Sequence, residues 1–127
     1  MAAIRAYTTI EQSKKLAEFL PLDTADQCFL NDGTAIKAEI NSYAVAMKLW
    51  KEHYIEIIPC WSLAALLEII AKIASKIDDD GSADLSSFMG QWSVNLLDCP
   101  VEATDNYGNP VDACVEMILK LKEKNLI

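Results

Sequence analysis

The stretch IPCWSLAALLEIIAKIASKI, residues 58–77, decides how the rest of the chain is organised. Pro59 favours an extended backbone at the residue before it, and Ser62 is a natural N-cap for a helix that starts immediately afterwards. The polar residues of that helix fall on one narrow stripe, where Glu68 and Lys72 stand in the order that favours an exposed ion pair. Because a helix that is apolar over most of its girth is covered on several sides, we predict a buried central helix.

A membrane span is the alternative interpretation of this stretch. Spanning requires ~20 mostly apolar residues, whereas a glutamate and a lysine interrupt this run and three aspartates follow it. The first residues, MAAIRAYTT, lack the apolar core of a secretory signal. The sequence therefore predicts a cytoplasmic protein without membrane association. In the central helix, Leu66 or Leu67 is predicted to be almost fully buried.

At 127 residues the chain is expected to form one domain, 1–127, large enough to fold around its own core. Its four cysteines are far apart and His53 is the only histidine, so neither a structural metal nor a cofactor is predicted. In a cytoplasmic protein these cysteines are expected to be reduced thiols.

The acidic charge is concentrated in one part of the chain. The formal net charge is −8, yet no Lys or Arg occurs between Lys76 and Lys120, a segment that carries nine Asp and Glu residues. The rest of the chain holds ten acids and eleven bases, so it is close to neutral. A negative surface attracts basic protein partners and disfavours direct binding of nucleic acid. The candidate interaction residues are Asp78, Asp79, Asp80, Asp84, Glu102 and Asp105.

The segment before the central helix is predicted to contain two further helices. Thr8 and Glu11 have the spacing of a capping box, and the helix that they start is expected to end at Pro21. The other predicted elements of this half are, in chain order, a strand at 27–30, a turn at 31–33, a helix over about 42–53 and an extended link at 55–58.

The segment after the central helix alternates apolar and polar residues along LSSFMGQWSVNLLDCPVEAT, residues 85–104. Gly90 and Cys99 stand where hairpins would turn, so we predict a small antiparallel sheet of two or three strands. Asn109 as N-cap and Pro110 as first helical residue predict a C-terminal helix. The predicted fold class is α+β, with three to four helices around the buried central helix, packed with the small sheet.

Four residues are weaker candidates for a small-molecule or catalytic pocket: His53, Cys60, Trp61 and Trp92. A cysteine nucleophile needs a base nearby, and a position just before a helix, such as that of Cys60, favours the thiolate. However, a free cysteine beside a tryptophan in an apolar stretch is usually part of the core. No catalytic residue is therefore assigned, and a non-enzymatic protein is the favoured class.

Three blocks of the sequence carry a resemblance to a known family. They are TTIEQSKKLAEFLPLDTAD (8–26), IPCWSLAALLE (58–68) and NPVDACVEMILKL with the final NLI (109–121 and 125–127). In this order and spacing they are similar to small uncharacterised proteins encoded by gut Bacteroidetes and by their phages and mobile elements. The blocks cover roughly half of the chain, and residues 28–57 lie outside them. The resemblance implies a cytosolic accessory protein and brings no catalytic residue.

These observations lead to one hypothesis and three alternatives. The hypothesis is an accessory protein of a phage or mobile element that binds a partner protein through an acidic surface at about 78–116. The first alternative is an enzyme or small-ligand binder that uses the corner formed by Cys60 and Trp61. The second is an acidic DNA mimic that occupies the nucleic-acid site of another protein. The third is that the acids only keep the protein soluble.

Overall fold

The computed structural model describes residues 5–127, which form four α-helices and five β-strands in two antiparallel sheets. The α+β fold class is therefore confirmed. In chain order the elements are α1 (Ile10–Leu16), β1 (Gln27–Asn31), β2 (Ile36–Glu39), α2 (Tyr43–Trp50), β3 (Glu56–Cys60), α3 (Leu63–Ile77), β4 (Ser82–Phe88), β5 (Gln91–Leu97) and α4 (Pro110–Glu123). Among residues 5–127, no helix has both the length and the apolar content needed to cross a bilayer.

The chain divides into two compact units. The N-terminal unit is Tyr7–Ala65, and the C-terminal unit is Leu66–Ile127 together with Arg5 and Ala6. Each unit has a sheet of its own, three-stranded in the N-terminal unit and two-stranded in the C-terminal unit. That residues 1–127 form one domain remains a prediction.

In the N-terminal unit, β1 is the central strand, with β2 on one side and β3 on the other, both antiparallel to it. Because side chains alternate along a strand, β1 contributes to two layers of core on opposite faces of the sheet. The layer that includes α2 contains Cys28, Leu30, Ala46 and Ile57. The layer that packs against Tyr7 and Ile10 contains Phe29, Ile58 and Cys60.

Most elements of this unit are those that the sequence predicts. The strand predicted at 27–30 is β1, and the helix predicted over about 42–53 is α2. The link predicted at 55–58 lies, from residue 56 onward, in a full strand, β3. Strand β2 lies outside the predicted elements. Its four residues, IKAE, alternate apolar and polar, but this alternation is short and the side chains are exposed or half-buried.

The turn between β1 and β2 is closed by Asp32, which confirms the turn predicted at 31–33. Its carboxylate accepts hydrogen bonds from the Thr34 hydroxyl and from the N–H groups of Thr34 and Ala35. These bonds favour the charged form and lower the pKa of Asp32 to about 2. Their stabilisation is therefore complete above the ordinary aspartate pKa and is lost as the pH falls through the folded value.

Helix α1 begins one residue later than the predicted capping box of Thr8 and Glu11. Thr9 is the N-cap: its hydroxyl accepts from the N–H of Gln12, and the Gln12 side chain accepts from the N–H of Thr9. The prediction is wrong because Thr8 is fully buried and bonds elsewhere. The N–H of Trp61 donates to the Thr8 hydroxyl, and the N–H of Thr8 donates to the Trp61 carbonyl.

Helix α3 begins at the predicted N-cap. The Ser62 hydroxyl accepts from the N–H of Ala65 at 3.1 Å, and the predicted ion pair of Glu68 and Lys72 is present at 3.1 Å. The buried residues form a single row: Leu66, Ile70, Ile73 and Ala74. Because Ala64 and Ala71 on the same helix are exposed, the prediction of a helix covered on several sides is not confirmed.

The C-terminal unit contains the hairpin of β4 and β5, which turns at Met89 and Gly90, as the sequence predicts for Gly90. Strand β5 contacts α4, and its side chains Val94 and Leu96 are buried. Leu97, the last residue of this strand, is exposed. Strand β5 therefore carries Val94 and Leu96 into the core of the unit.

No hairpin forms at the second predicted turn, Cys99. The chain instead runs back beside β5 without forming a third strand, so the sheet has two strands. Tyr107 and Trp92 exchange backbone hydrogen bonds of 2.6 and 2.8 Å. Three residues before Tyr107 in the chain, the Thr104 hydroxyl accepts a hydrogen bond from the N–H of Val94 at 2.9 Å.

Helix α4 has the predicted start. The Asn109 side chain accepts from the N–H of Val111 at 2.8 Å, and Pro110 is the first helical residue. The buried residues of the helix are Pro110, Val111, Ala113, Cys114, Val115, Met117, Ile118 and Leu121. The predicted C-terminal helix is therefore confirmed, and it supplies much of the core of its unit.

Replacing Leu66 by alanine is expected to lower the free energy of unfolding by ~2–5 kcal/mol, because the change leaves a cavity. Leu66 is fully buried, whereas Leu67 on the same helix is half-buried and serves as the control with a smaller loss. Urea denaturation followed by circular dichroism measures both. A Leu66→Ala midpoint equal to that of the unsubstituted protein would contradict the burial of this face.

Candidate functional site

The six predicted interaction acids are all exposed and all belong to the C-terminal unit. Three of them form the turn after α3, at residues 78–80. Asp84 lies on β4, where it stands opposite Asn95 of β5. Glu102 and Asp105 lie in the loop between β5 and α4. Within residues 5–127, no Lys or Arg forms an ion pair with any of the six carboxylates.

The turn after α3 is held close to the end of that helix. The N–H of Asp78 donates to the Ala74 carbonyl, and the N–H of Gly81 donates to the Asp78 carbonyl. The Asp78 carboxylate accepts from the N–H of Asp80 at 2.8 Å. A Cβ added at Gly81 would lie 2.1 Å from the Ala74 carbonyl oxygen, so only glycine allows the backbone to approach this closely.

The three aspartates lie where a helix disfavours negative charge. They follow directly on Ile77, the last residue of α3, and the C-terminal end of a helix carries a partial negative charge. The Asp78 carboxylate has a local role as a hydrogen-bond acceptor in the turn. Among the described residues, the carboxylates of Asp79 and Asp80 make no such bond, so the stability of the fold does not explain them.

A fourth carboxylate, Asp98, belongs with this turn. The thiol of Cys99 donates to the Ala74 carbonyl at 3.6 Å, which brings the end of β5 to the end of α3. The pKa of Cys99 is raised, first by burial and then by the negative charges of Asp78 and Asp98. The sequence-based candidate set omits Asp98, because only the folded backbone shows that the two turns are neighbours.

A second group of carboxylates surrounds Tyr107. The pKa of this tyrosine is raised mainly by burial, then by the charges of Glu116 and Asp105 and by a hydrogen bond with Glu116. The segment itself contains no Lys or Arg, but a cation from elsewhere in the chain reaches this group. Arg5 forms an ion pair with Asp112 at 2.6 Å, so one cation from outside the segment partly offsets this group.

Lys120 also contacts the acidic segment. Its ammonium group donates to the backbone carbonyls of Glu102 and Ala103 at 3.2 and 3.1 Å. It thus fixes the loop without bonding to the Glu102 carboxylate, which remains exposed. The exposed acids that form no ion pair within residues 5–127 therefore include those near α3, on β4 and in the middle of the loop.

The weaker pocket candidates Cys60 and Trp61 are both fully buried. The Cys60 thiol donates to the Thr8 carbonyl, and the Trp61 ring N–H donates to the Thr24 hydroxyl at 2.9 Å. Burial is the main cause that raises the pKa of Cys60, so the thiol is protonated at neutral pH. These contacts favour a packing role for both side chains.

His53 and Trp92 lie elsewhere in the chain. His53 is exposed in the turn after α2 and lines a hollow of about 320 Å³ with Met47, Lys48, Leu49, Lys51 and Glu52. Neither Cys60 nor Trp61 lines this hollow, and the hydrogen bonds of the Cys60 thiol go to Thr8 rather than to a histidine. Trp92 is half-buried on β5 in the C-terminal unit.

Within residues 5–127, no group of three or more His, Cys, Asp or Glu side chains is arranged to hold a metal ion. Comparisons with protein-family models, with curated proteins and with solved structures found no protein that matches this chain.

Replacing Gly81 by alanine is expected to lower the free energy of unfolding by about 1–3 kcal/mol, because the new methyl group meets a backbone carbonyl that cannot move aside. Gly108 is the matched control: a Cβ there would meet nothing within 4 Å. Gly108→Ala should therefore stay within about 1 kcal/mol of the parent. Thermal melts of both variants measure the difference, and equal effects would show that the turn after α3 is loose.

Iodoacetamide is expected to label Cys99 before the other three cysteines, because Cys99 is half-buried while Cys28, Cys60 and Cys114 are fully buried. Its raised pKa leaves little thiolate at neutral pH, so the labelling rate should rise as the pH increases beyond the ordinary thiol value. Removing one nearby charge by Asp78→Asn should speed the labelling. Mass spectrometry of samples quenched over time measures each site.

The same experiment tests the enzyme alternative. Fast labelling of Cys60 in the folded protein would show an accessible thiolate and would favour that class. A denatured sample, in which all four thiols react, is the control for complete detection.

Proposed function

We propose that this protein is a non-enzymatic accessory protein that binds a basic protein partner through the acidic surface of its C-terminal unit. The acidic surface is defined here as the exposed carboxylates of Asp78, Asp79, Asp80, Asp84, Asp98, Glu102 and Asp105. The observation that carries the proposal is the position of the three aspartates. They are exposed at the C-terminal end of α3, where the helix itself disfavours negative charge.

This position bears on the alternative that the acids only confer solubility. Solubility depends on net charge, so acids that serve it can stand anywhere on the surface. Instead, nine of the nineteen acids lie between Lys76 and Lys120, a segment that contains no Lys or Arg. A local negative surface speeds association with a basic partner and loses this effect as salt increases.

The setting of the protein is part of the same proposal. The resemblance of three sequence blocks to proteins of gut Bacteroidetes and their mobile elements supports an accessory role in the bacterial cytoplasm. The acidic surface disfavours direct binding of nucleic acid. The DNA-mimic version of the proposal has the same surface and differs only in its partner, which would be a nucleic-acid-binding protein.

Reversing Asp79, Asp80 and Asp84 to lysine is expected to reduce capture of the partner at least tenfold while the fold survives. The melting temperature should stay the same or rise, because lysine suits the C-terminal end of a helix. The measurement is affinity capture from a lysate of a gut Bacteroidetes species, quantified by mass spectrometry, together with a thermal melt.

The matched control reverses three exposed acids of the N-terminal unit, Glu18, Asp23 and Glu52. It changes the net charge by the same amount and should leave capture intact. Equal capture by the parent and both variants would leave solubility as the role of the acids. If the captured protein binds nucleic acid and added duplex DNA displaces it, the mimic version holds.

A further inference from the structure

The tip of the β4–β5 hairpin carries two large apolar side chains in solvent. Phe88 is 79% exposed and Met89 is 87% exposed, the highest value among the exposed large hydrophobic residues of the described chain. Farther along the same hairpin, Val94 is fully buried and Leu96 is 3% exposed. The exposure is therefore greatest at the tip; Leu97, at the far end of β5, is exposed to a smaller extent, 44%.

The backbone of the tip is unfavourable for the residue that occupies it. Met89 and Gly90 both have positive φ angles, 55° and 79°, which is the conformation of a two-residue type I′ turn. Such turns favour Asn, Asp or Gly, and a bulky side chain at positive φ is strained. The Met89 side chain is 87% exposed, so packing within the described chain does little to offset this strain.

The surroundings of the tip indicate the chemistry of what it contacts. Residues 85–97 contain no charged side chain, although Asp84 and Asp98 lie directly on either side of them in the sequence. An uncharged apolar tip enters an apolar pocket without the cost of burying a charge. The acids farther back, beginning with Asp84 on β4, repel an anionic lipid surface and attract a basic rim.

We propose that Phe88 and Met89 are an apolar anchor that inserts into a hydrophobic pocket of the basic partner protein. This inference rests on the proposed function and adds a second element to it. Exposed charges steer the approach and mainly affect the association rate, whereas a buried aromatic or thioether side chain mainly sets the dissociation rate. The two elements can therefore be separated by kinetics.

The probe is the protein that the parent chain captures from the lysate, identified by mass spectrometry and purified. Biolayer interferometry then compares Phe88→Ser, Met89→Ser and the triple reversal of Asp79, Asp80 and Asp84. The tip variants should weaken the affinity about tenfold or more, mainly through faster dissociation. The triple reversal should slow association and remove most of its salt dependence.

Two further variants keep the test specific. Ile40→Ser removes a side chain that is 81% exposed in the N-terminal unit, and it should leave the affinity unchanged. Met89→Asn suits the turn, so it should raise the melting temperature and still weaken binding. A structural role for Met89 would move both measurements in the same direction.

Each outcome decides between the two proposals. If the tip variants bind like the parent and the triple reversal does not, the anchor is wrong and the proposed function stands. If only the tip variants lose affinity, the anchor stands and the acidic surface is not the binding face. A parent chain that captures no basic protein overturns both. Co-sedimentation of the parent, but not of Phe88→Ser, with vesicles of phosphatidylcholine would assign the tip to lipid and overturn the anchor.

Discussion

The N-terminal unit depends on the hydroxyl and backbone of one buried threonine. Thr8 exchanges hydrogen bonds with the backbone of Trp61 across 53 residues of sequence, and its hydroxyl also lies 2.7 Å from that of Ser13. All three residues are at or near zero exposure, so each polar group must find its partner inside the protein. These bonds fix the start of α1 beside the end of β3. They also leave the next threonine, Thr9, to cap the helix.

Sequence patterns predicted the parts of the fold that depend on neighbouring residues. Ser62 and Asn109 cap helices through bonds to residues two or three positions away, and such spacing is visible in the sequence. The cap of α1 was displaced because Thr8 has a partner far along the chain, which no local pattern shows. For the same reason the sequence predicts that the acids are exposed, but not that Asp78 lies near Cys99 together with Asp98. It also does not predict the ion pair of Arg5 with Asp112.

Departures from local preference are concentrated in the C-terminal unit. Within residues 5–127, the residues other than glycine with positive φ are Met89, Asp98 and Asn125, and all three belong to this unit. Asp and Asn often adopt this conformation, so Met89 is the exception among them. The aspartates at the end of α3 are a further departure, since they oppose the helix dipole. Natural sequences are otherwise locally consistent, and such exceptions are expected where a surface serves a function. In the N-terminal unit the positive φ angle falls on Gly33, a residue that adopts it without strain.

Thr8 and Arg5 are close in sequence, but they complete their contacts at different stages of synthesis on the ribosome. All the hydrogen bonds of Thr8 go to residues no farther along than Trp61, so its contacts are complete before any residue of β4 is made. Arg5, three positions earlier, waits for Asp112, a partner 107 residues away. Because folding proceeds from the N-terminus during synthesis, neighbouring residues of one short segment thus complete their contacts at opposite stages of translation. The β4–β5 hairpin emerges between these two events and forms from residues close in sequence.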